Sequence, residues 1–220
     1  MEEIRAFEAC RVMIQWSERV ERAVYLPSAP EEARALFAQL PEGTALITLD
    51  QTDWNRDFSP WPAPAVFRDA DFSGGAPAFL DALVNEVIPT VEQLTGHPRQ
   101  RILAGYSLAG LFAIWAAMQT NLFIGAASMS GSIWFDGFVD YAKAHMANFH
   151  AKTIYLSVGD KEHATRNPRM RTVEAATHTL HAMLTEAGHI TTFELNPGNH
   201  FTDIPTRITT GILWTIAHLD

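Results

Sequence analysis

Short apolar runs alternate with longer helical patterns along this chain, and that alternation constrains the fold more than any other feature. Arg22 to Leu26, Ala45 to Leu49, Arg101 to Gly105, Leu122 to Ala127, Thr153 to Val158 and Thr191 to Leu195 read as strands. Between them lie helical stretches: Glu31 to Leu40 opened by Pro30, Phe79 to Leu94, Leu108 to Met118, part of Trp134 to Asn148, and Met170 to Ala187. A last helix runs from Phe201 to His218. Pro89 is expected to kink or end the second of these, because proline lacks the N–H that a helix interior needs. Strands separated by helices of about ten residues or more require crossovers, hence a mostly parallel sheet covered on both faces. The expectation is a three-layer α/β architecture of about six or seven strands, with residues 9–17 supplying a further edge strand. At 220 residues, 47% of them hydrophobic, the chain suits one domain spanning 1–220. One connection, Asp50 to Ala78, is long and rich in Trp and Pro, which marks it as functional or as a cap over a site.

The strand Arg101–Gly105 runs almost directly into the apolar helix Leu108–Met118, and Ser107 sits at the junction. In an open parallel sheet, ligands bind beyond the carboxyl ends of the strands. A serine there is lifted into that crevice on a sharp turn that tolerates only small neighbours. Gly105 lies two residues before Ser107 and Ala109 two after, with Gly110 following, so Gly-x-Ser-x-Gly is nearly met. The plain alternative is a strand-to-helix turn with Ser107 as an N-cap.

A serine hydroxyl needs a general base, and the base needs an orienting carboxylate. On a sheet of this kind their chain order is serine, acid, histidine. The last strand leads into Asn196-Pro197-Gly198-Asn199-His200, which brings His200 to the same end of the sheet as Ser107. The other eight histidines fall in helices, before strands or at the chain end, save His163, which follows the strand expected to supply the acid. That strand ends at Gly159-Asp160-Lys161-Glu162. Placement three residues after the glycine favours Glu162, with Asp160 the other candidate. The oxyanion hole calls for two N–H donors. Leu108 supplies one. The loop Pro27-Ser28-Ala29 offers Ser28 or Ala29 for the second, since Pro27 has no N–H, and the segment Asp50 to Trp54 is another source. Trp54, Trp61, Trp134 and Phe135 follow strand ends and either line an acyl or aryl pocket or cover the core. Trp54 and Trp134 are taken as the substrate-binding pair.

Gly105-Tyr106-Ser107-Leu108-Ala109-Gly110, Ser157-Val158-Gly159-Asp160-Lys161-Glu162 and Gly198-Asn199-His200 together resemble the esterase D-like putative esterases of the α/β-hydrolase superfamily. That group includes siderophore and feruloyl esterases. The resemblance covers about residues 20 to 215 and implies carboxylic-ester hydrolysis without a cofactor. By position, Ser107 becomes the nucleophile, His200 the base and Glu162 the orienting acid. It further implies a compact α/β-hydrolase fold. Compared with larger members the chain is short at its N-terminus and lacks a lid domain.

Composition narrows the partners. The net charge of −9, from 16 basic and 25 acidic groups, disfavours nucleic acid and anionic membranes. No stretch approaches the roughly 20 apolar residues of a membrane span, and the start does not read as a secretory signal. With Cys10 alone, no internal disulfide or thiolate metal site can form, and no metal is expected. The expectation is a cytoplasmic enzyme acting on a small-molecule ester, with a homodimer left open. The competing readings are an acyltransferase or peptidase using the same residues, and a non-catalytic binding protein that kept the fold. Metal-dependent hydrolysis on His178 and His181 lacks the acidic spacing it would need.

Overall fold

The computed structural model describes residues 1–66 and 70–219. Strands β1 (Glu2–Ala6), β2 (Arg11–Gln15) and β3 (Arg22–Pro27) lead to helix α1 (Pro30–Phe37) and strand β4 (Thr44–Asp50). The long connection holds a one-turn helix α2 (Trp54–Asp57) and a two-residue hairpin, β5 (Pro62–Ala63) with β6 (Phe72–Ser73). Helices α3 (Ala76–Ala82) and α4 (Ile88–Thr95) precede β7 (Gln100–Tyr106) and α5 (Leu108–Ala116). Then come β8 (Gly125–Met129), α6 (Phe138–Ala144), β9 (Thr153–Gly159), α7 (Val173–Glu186), β10 (Ile190–Asn196) and α8 (Ile204–Ala217).

Eight strands form the main sheet, in the order β1-β2-β4-β3-β7-β8-β9-β10. The pairs from β4 through β10 are parallel, whereas β1–β2 and β2–β4 are antiparallel. The expected strand in residues 9–17 is β2, but it is not the edge. A further strand, β1, pairs outside it and raises the count beyond six or seven. Its sequence, Glu-Glu-Ile-Arg-Ala, is almost wholly exposed, so it carries none of the apolar alternation by which strands are recognised.

Successive side chains on a strand point to opposite faces, and this builds two cores. Ala23, Tyr25 and Leu103 join one apolar cluster with α4, α5, α6 and α7. Val24, Leu26, Ile102 and Ala104 join the other, with Ala33 and Leu36 of α1 and Ile208 and Ile212 of α8. All nine residues of α5 are buried, as expected of a helix apolar on every side. Pro89 neither ends nor breaks its helix. The preceding segment Leu83–Val87 widens into a π-turn, and the Ile88 N–H reaches back to the Leu83 carbonyl. The wider turn removes the collision between the proline ring and the carbonyl four residues before it.

Strand β8 begins later than the apolar run Leu122–Ala127 suggests. Phe123 packs edge-on against Tyr25 in the core before the strand starts, so the run leads into the strand rather than forming it. Among the described residues no separate lid domain interrupts the sheet, and no helix is long and apolar enough to cross a membrane.

Candidate active site

Ser107 lies between β7 and α5 with φ 57° and ψ −123°. A non-glycine residue in this region is strained, and the strain persists because its surroundings fix it. The Ser107 N–H donates to the Met129 carbonyl at 3.1 Å, and its carbonyl accepts from Ser132 N–H at 3.0 Å. The turn is tight enough that a Cβ on Gly105 would overlap the Ala109 carbonyl and stand 2.7 Å from the Gly110 nitrogen. Glycine is therefore required two residues before Ser107, while Ala109, two residues after it, is fully buried.

His200 arrives on the loop between β10 and α8. Its Nε2 lies 3.0 Å from Ser107 Oγ. Its Nδ1 lies 2.7 Å from Glu162 Oε2. Glu162 sits just beyond β9, and its other oxygen accepts the Gly159 N–H at 2.7 Å. Burial alone would raise the Glu162 carboxyl. Hydrogen bonds from His200, Ser130 and the Gly159 N–H outweigh burial and hold it below the usual carboxylate range. Asp160 turns the other way and accepts the Gly198 N–H at 2.7 Å, bracing the loop that carries His200.

Leu108 lines the cavity beside Ser107 and is the first residue of α5, so its N–H has no acceptor within the helix. Ser28 does not join the site. Parallel pairing of β3 with β4 continues past Pro27, and the Ser28 N–H is spent on the Leu49 carbonyl at 3.3 Å. Its hydroxyl meets Glu32 at 3.2 Å, in a separate small groove between α1 and α8. The segment after β4 does reach the cavity, through Trp54 and Asn55.

The cavity over Ser107 holds about 480 Å³. Trp54 and Trp134 both line it, with Phe72, Val66, Met170 and Phe201. Arg169 lies 5.5 Å from the centre of the Trp134 ring. Trp61 and Phe135 instead pack on each other and stand in or against the core. Asn55, Ser132, Lys161, Thr165 and Asn199 add polar groups to the wall. Three residues of the long connection, 67–69, lie outside the described residues. Among the described residues, no three His, Cys, Asp or Glu side chains converge as metal ligands would.

Arg207 and Tyr106 are site residues the sequence reading missed. The Tyr106 hydroxyl, kept neutral chiefly by burial, donates to the His200 carbonyl at 2.6 Å. Arg207 meets Glu162 Oε1 at 3.1 Å. A signal for Arg207 was present: it falls on the apolar stripe of the last helix, where a cation demands a buried counter-charge.

A model of the family described as "Putative esterase" matches residues 31–201. No curated protein matches the chain by sequence. Among solved structures, an IroE-like serine hydrolase from Shewanella oneidensis superposes with a TM-score of 0.80 at 17% identity, over 97% of this chain and 79% of that one. The siderophore hydrolase EstA from Aspergillus nidulans gives 0.76 at 20% identity, over 100% of this chain and 95% of its own. The enterobactin esterase Fes from Shigella flexneri gives 0.72 at 20% identity, over 99% of this chain and 59% of that one. At such identities the likeness establishes a shared α/β-hydrolase fold. The family match, which spans most of the chain, adds the chemistry: the chain belongs to the putative esterase family of carboxylic ester hydrolases.

Proposed function

We propose that this esterase works through an acyl-enzyme formed on Ser107, with His200 as general base and Glu162 as the residue that orients it. The observation that carries the reading is the unbroken line Ser107 Oγ, His200 Nε2, His200 Nδ1, Glu162 Oε2, with links of 3.0 and 2.7 Å. Ser107 Oγ attacks the ester carbonyl carbon while His200 Nε2 takes its proton. The Leu108 N–H, at the positive end of α5, faces the oxygen that becomes negative. As the tetrahedral adduct collapses, His200 returns the proton to the departing alcohol oxygen. Water, deprotonated by the same imidazole, then attacks the acyl-enzyme and frees the carboxylic acid and Ser107. Glu162 accepts from Nδ1–H, which selects the tautomer with a free Nε2 and balances the imidazolium when it forms.

The apolar walls of the cavity favour an ester with a small acyl group or an aryl group, set between Trp54 and Trp134. The siderophore esters named for the structural neighbours are a second class to assay. A fluorophosphonate should label Ser107 alone, and p-nitrophenyl acetate should give a burst equivalent to one site per chain. Absence of labelling on the folded protein, or full activity in Ser107→Ala, would overturn the mechanism.

A further inference from the structure

Helix α8 buries Arg207, Ile208, Gly211, Ile212 and Thr215 along one stripe. Four of the five are small or apolar; Arg207 is a permanent cation. Its side chain is 3% exposed, so it must be neutralised inside the protein. The guanidinium reaches Glu162 Oε1 at 3.1 Å, Ser130 Oγ at 3.0 Å and the Tyr106 hydroxyl oxygen at 3.3 Å, all through one nitrogen. The other terminal nitrogen donates to the Pro197 carbonyl at 2.9 Å. Four segments thus meet on one side chain: the turn after β9, the end of β8, the residue before Ser107, and the loop that carries His200. Space for it is kept by Gly159, where a Cβ would stand 2.9 Å from the guanidinium.

We propose that Arg207 is a positioning residue of the esterase site, one that aims Glu162 at His200 and offsets the carboxylate charge that His200 would otherwise face alone. The inference rests on the Ser107–His200–Glu162 reading above. Glu162 divides its oxygens, Oε2 to the imidazole and Oε1 to Arg207 and the Gly159 N–H, which fixes the carboxylate plane. The offset has a direction. Without the cation, the Gly159 N–H remains on the carboxylate, but the only cation left to bond it is the imidazolium, which favours the form of His200 that cannot act as a base. The other groups near this pair do not supply a substitute. Tyr106 is a neutral phenol bonded to the His200 carbonyl. On the acid's own turn, Asp160 is bonded to the Gly198 N–H and Lys161 lines the cavity wall, with opposite charges.

The test is the pH profile of kcat/KM on a neutral p-nitrophenyl ester for the wild type, Arg207→Lys and Arg207→Gln. Arg207→Gln should lower kcat roughly ten- to hundredfold, the scale seen when a hydrogen-bonded support is removed from a functional side chain, with KM little changed. Its acid limb should move to higher pH by about one unit, on the scale of a lost neighbouring charge. Arg207→Lys keeps the charge without the fork; its acid limb should stay in place while kcat falls. An unmoved acid limb in folded Arg207→Gln would overturn the proposal. If that variant does not fold, Glu162→Gln is compared with Glu162→Gln/Arg207→Gln, which removes both buried charges. Arg207 acting through Glu162 predicts no further loss of kcat in the double variant, whereas an additional tenfold loss would refute it. An inactive wild type would refute the esterase mechanism instead, so the two failures are distinct.

Discussion

Glu162 and Asp160 are two residues apart and both leave the same strand end, yet the turn aims them at different partners. One carboxylate meets His200 Nδ1 and the other caps Gly198 N–H. Glu162→Gln should therefore lower kcat by about 10²–10⁴-fold, near the loss recorded when a triad acid is neutralised, and leave KM almost unchanged. Asp160→Asn keeps an acceptor for the Gly198 N–H and should retain kcat within about tenfold of wild type. Steady-state kinetics on one ester separates the two, and equal losses would contradict the assignment. Spacing alone left this choice open, because it gives the position of a carboxylate along a turn but not the direction of its side chain. Ser28 failed for a related reason: the β3–β4 register that consumes its N–H depends on β4, a strand remote in sequence. Glu162 also links folding to pH. Its folded-state carboxyl is held below the ordinary glutamate value, so ionisation stabilises the fold fully above about pH 4.3. That contribution disappears as pH falls through the depressed folded value. Urea midpoints measured from pH 6 to 3 should fall less steeply in Glu162→Gln than in the wild type.

Buried elements were the most legible, although the half-buried strand β10 was placed as closely. The central parallel strands and α5 carry continuous apolar runs, and apart from β8, which starts three residues late, they were placed from sequence almost to their ends. The exposed edge strand β1 carries none and escaped notice, as did the two-residue pair β5–β6, too short to show a period. Proline in the α3–α4 stretch is expected to kink or end the helix; a local π-turn carries the helix past it, and no residue type announces such a turn. Ile88 and Val91 pack α4 into the apolar core, and a buried ion pair ties it to the sheet as well. Glu92, with a side chain 6% exposed, accepts from Arg101 Nε of β7 at 2.6 Å and meets His97 Nδ1 at 2.9 Å. Burial pushes this carboxyl up, but the Arg101 and His97 contacts prevail and hold it low. Removing the cation leaves a buried, unbalanced carboxylate. Arg101→Met should accordingly destabilise the protein by about 3–5 kcal/mol. At roughly 2–4 °C per kcal/mol for a chain of this size, Tm should fall by about 10 °C. His97 is mostly exposed, and its replacement by Ala should cost far less. Differential scanning calorimetry at neutral pH decides between these expectations.

At the scale of the whole molecule, the sheet fixes Ser107 and His200 while loops from distant parts of the chain enclose the space above them. The Asp50–Ala78 connection, which from sequence reads as functional or as a cap over a site, supplies Trp54, Asn55, Ala65, Val66 and Phe72 to the cavity. Of its two tryptophans, Trp54, the one taken from sequence as a ligand contact, lines the cavity, and Trp61 does not. The choice depends on tertiary partners: Trp61 turns inward to Phe138 and Tyr141 and donates its indole N–H to the Asp136 carbonyl at 3.0 Å. One side chain stitches the separate walls together. Arg169 pairs with Asp136 at 2.8 Å, donates to the Pro64 carbonyl at 2.7 Å and lies over Trp134. It thus joins the segment before α7 to the long connection and to the segment between β8 and α6, without touching Ser107, His200 or Glu162. Its loss should loosen the walls but spare the chemistry. An aryl ester that fills the space between Trp54 and Trp134 would then lose binding common to ground and transition states, which raises KM and leaves kcat in place. Arg169→Ala should raise KM for such an ester by about tenfold, equivalent to ~1.4 kcal/mol of contact energy. For an acetate ester of a small alcohol, which leaves most of the roughly 480 Å³ cavity unfilled, KM should change by less than about twofold. Equal effects on both esters would mean that Arg169 supports the reacting groups themselves. An effect on the larger ester alone would assign specificity to the loops and catalysis to the sheet.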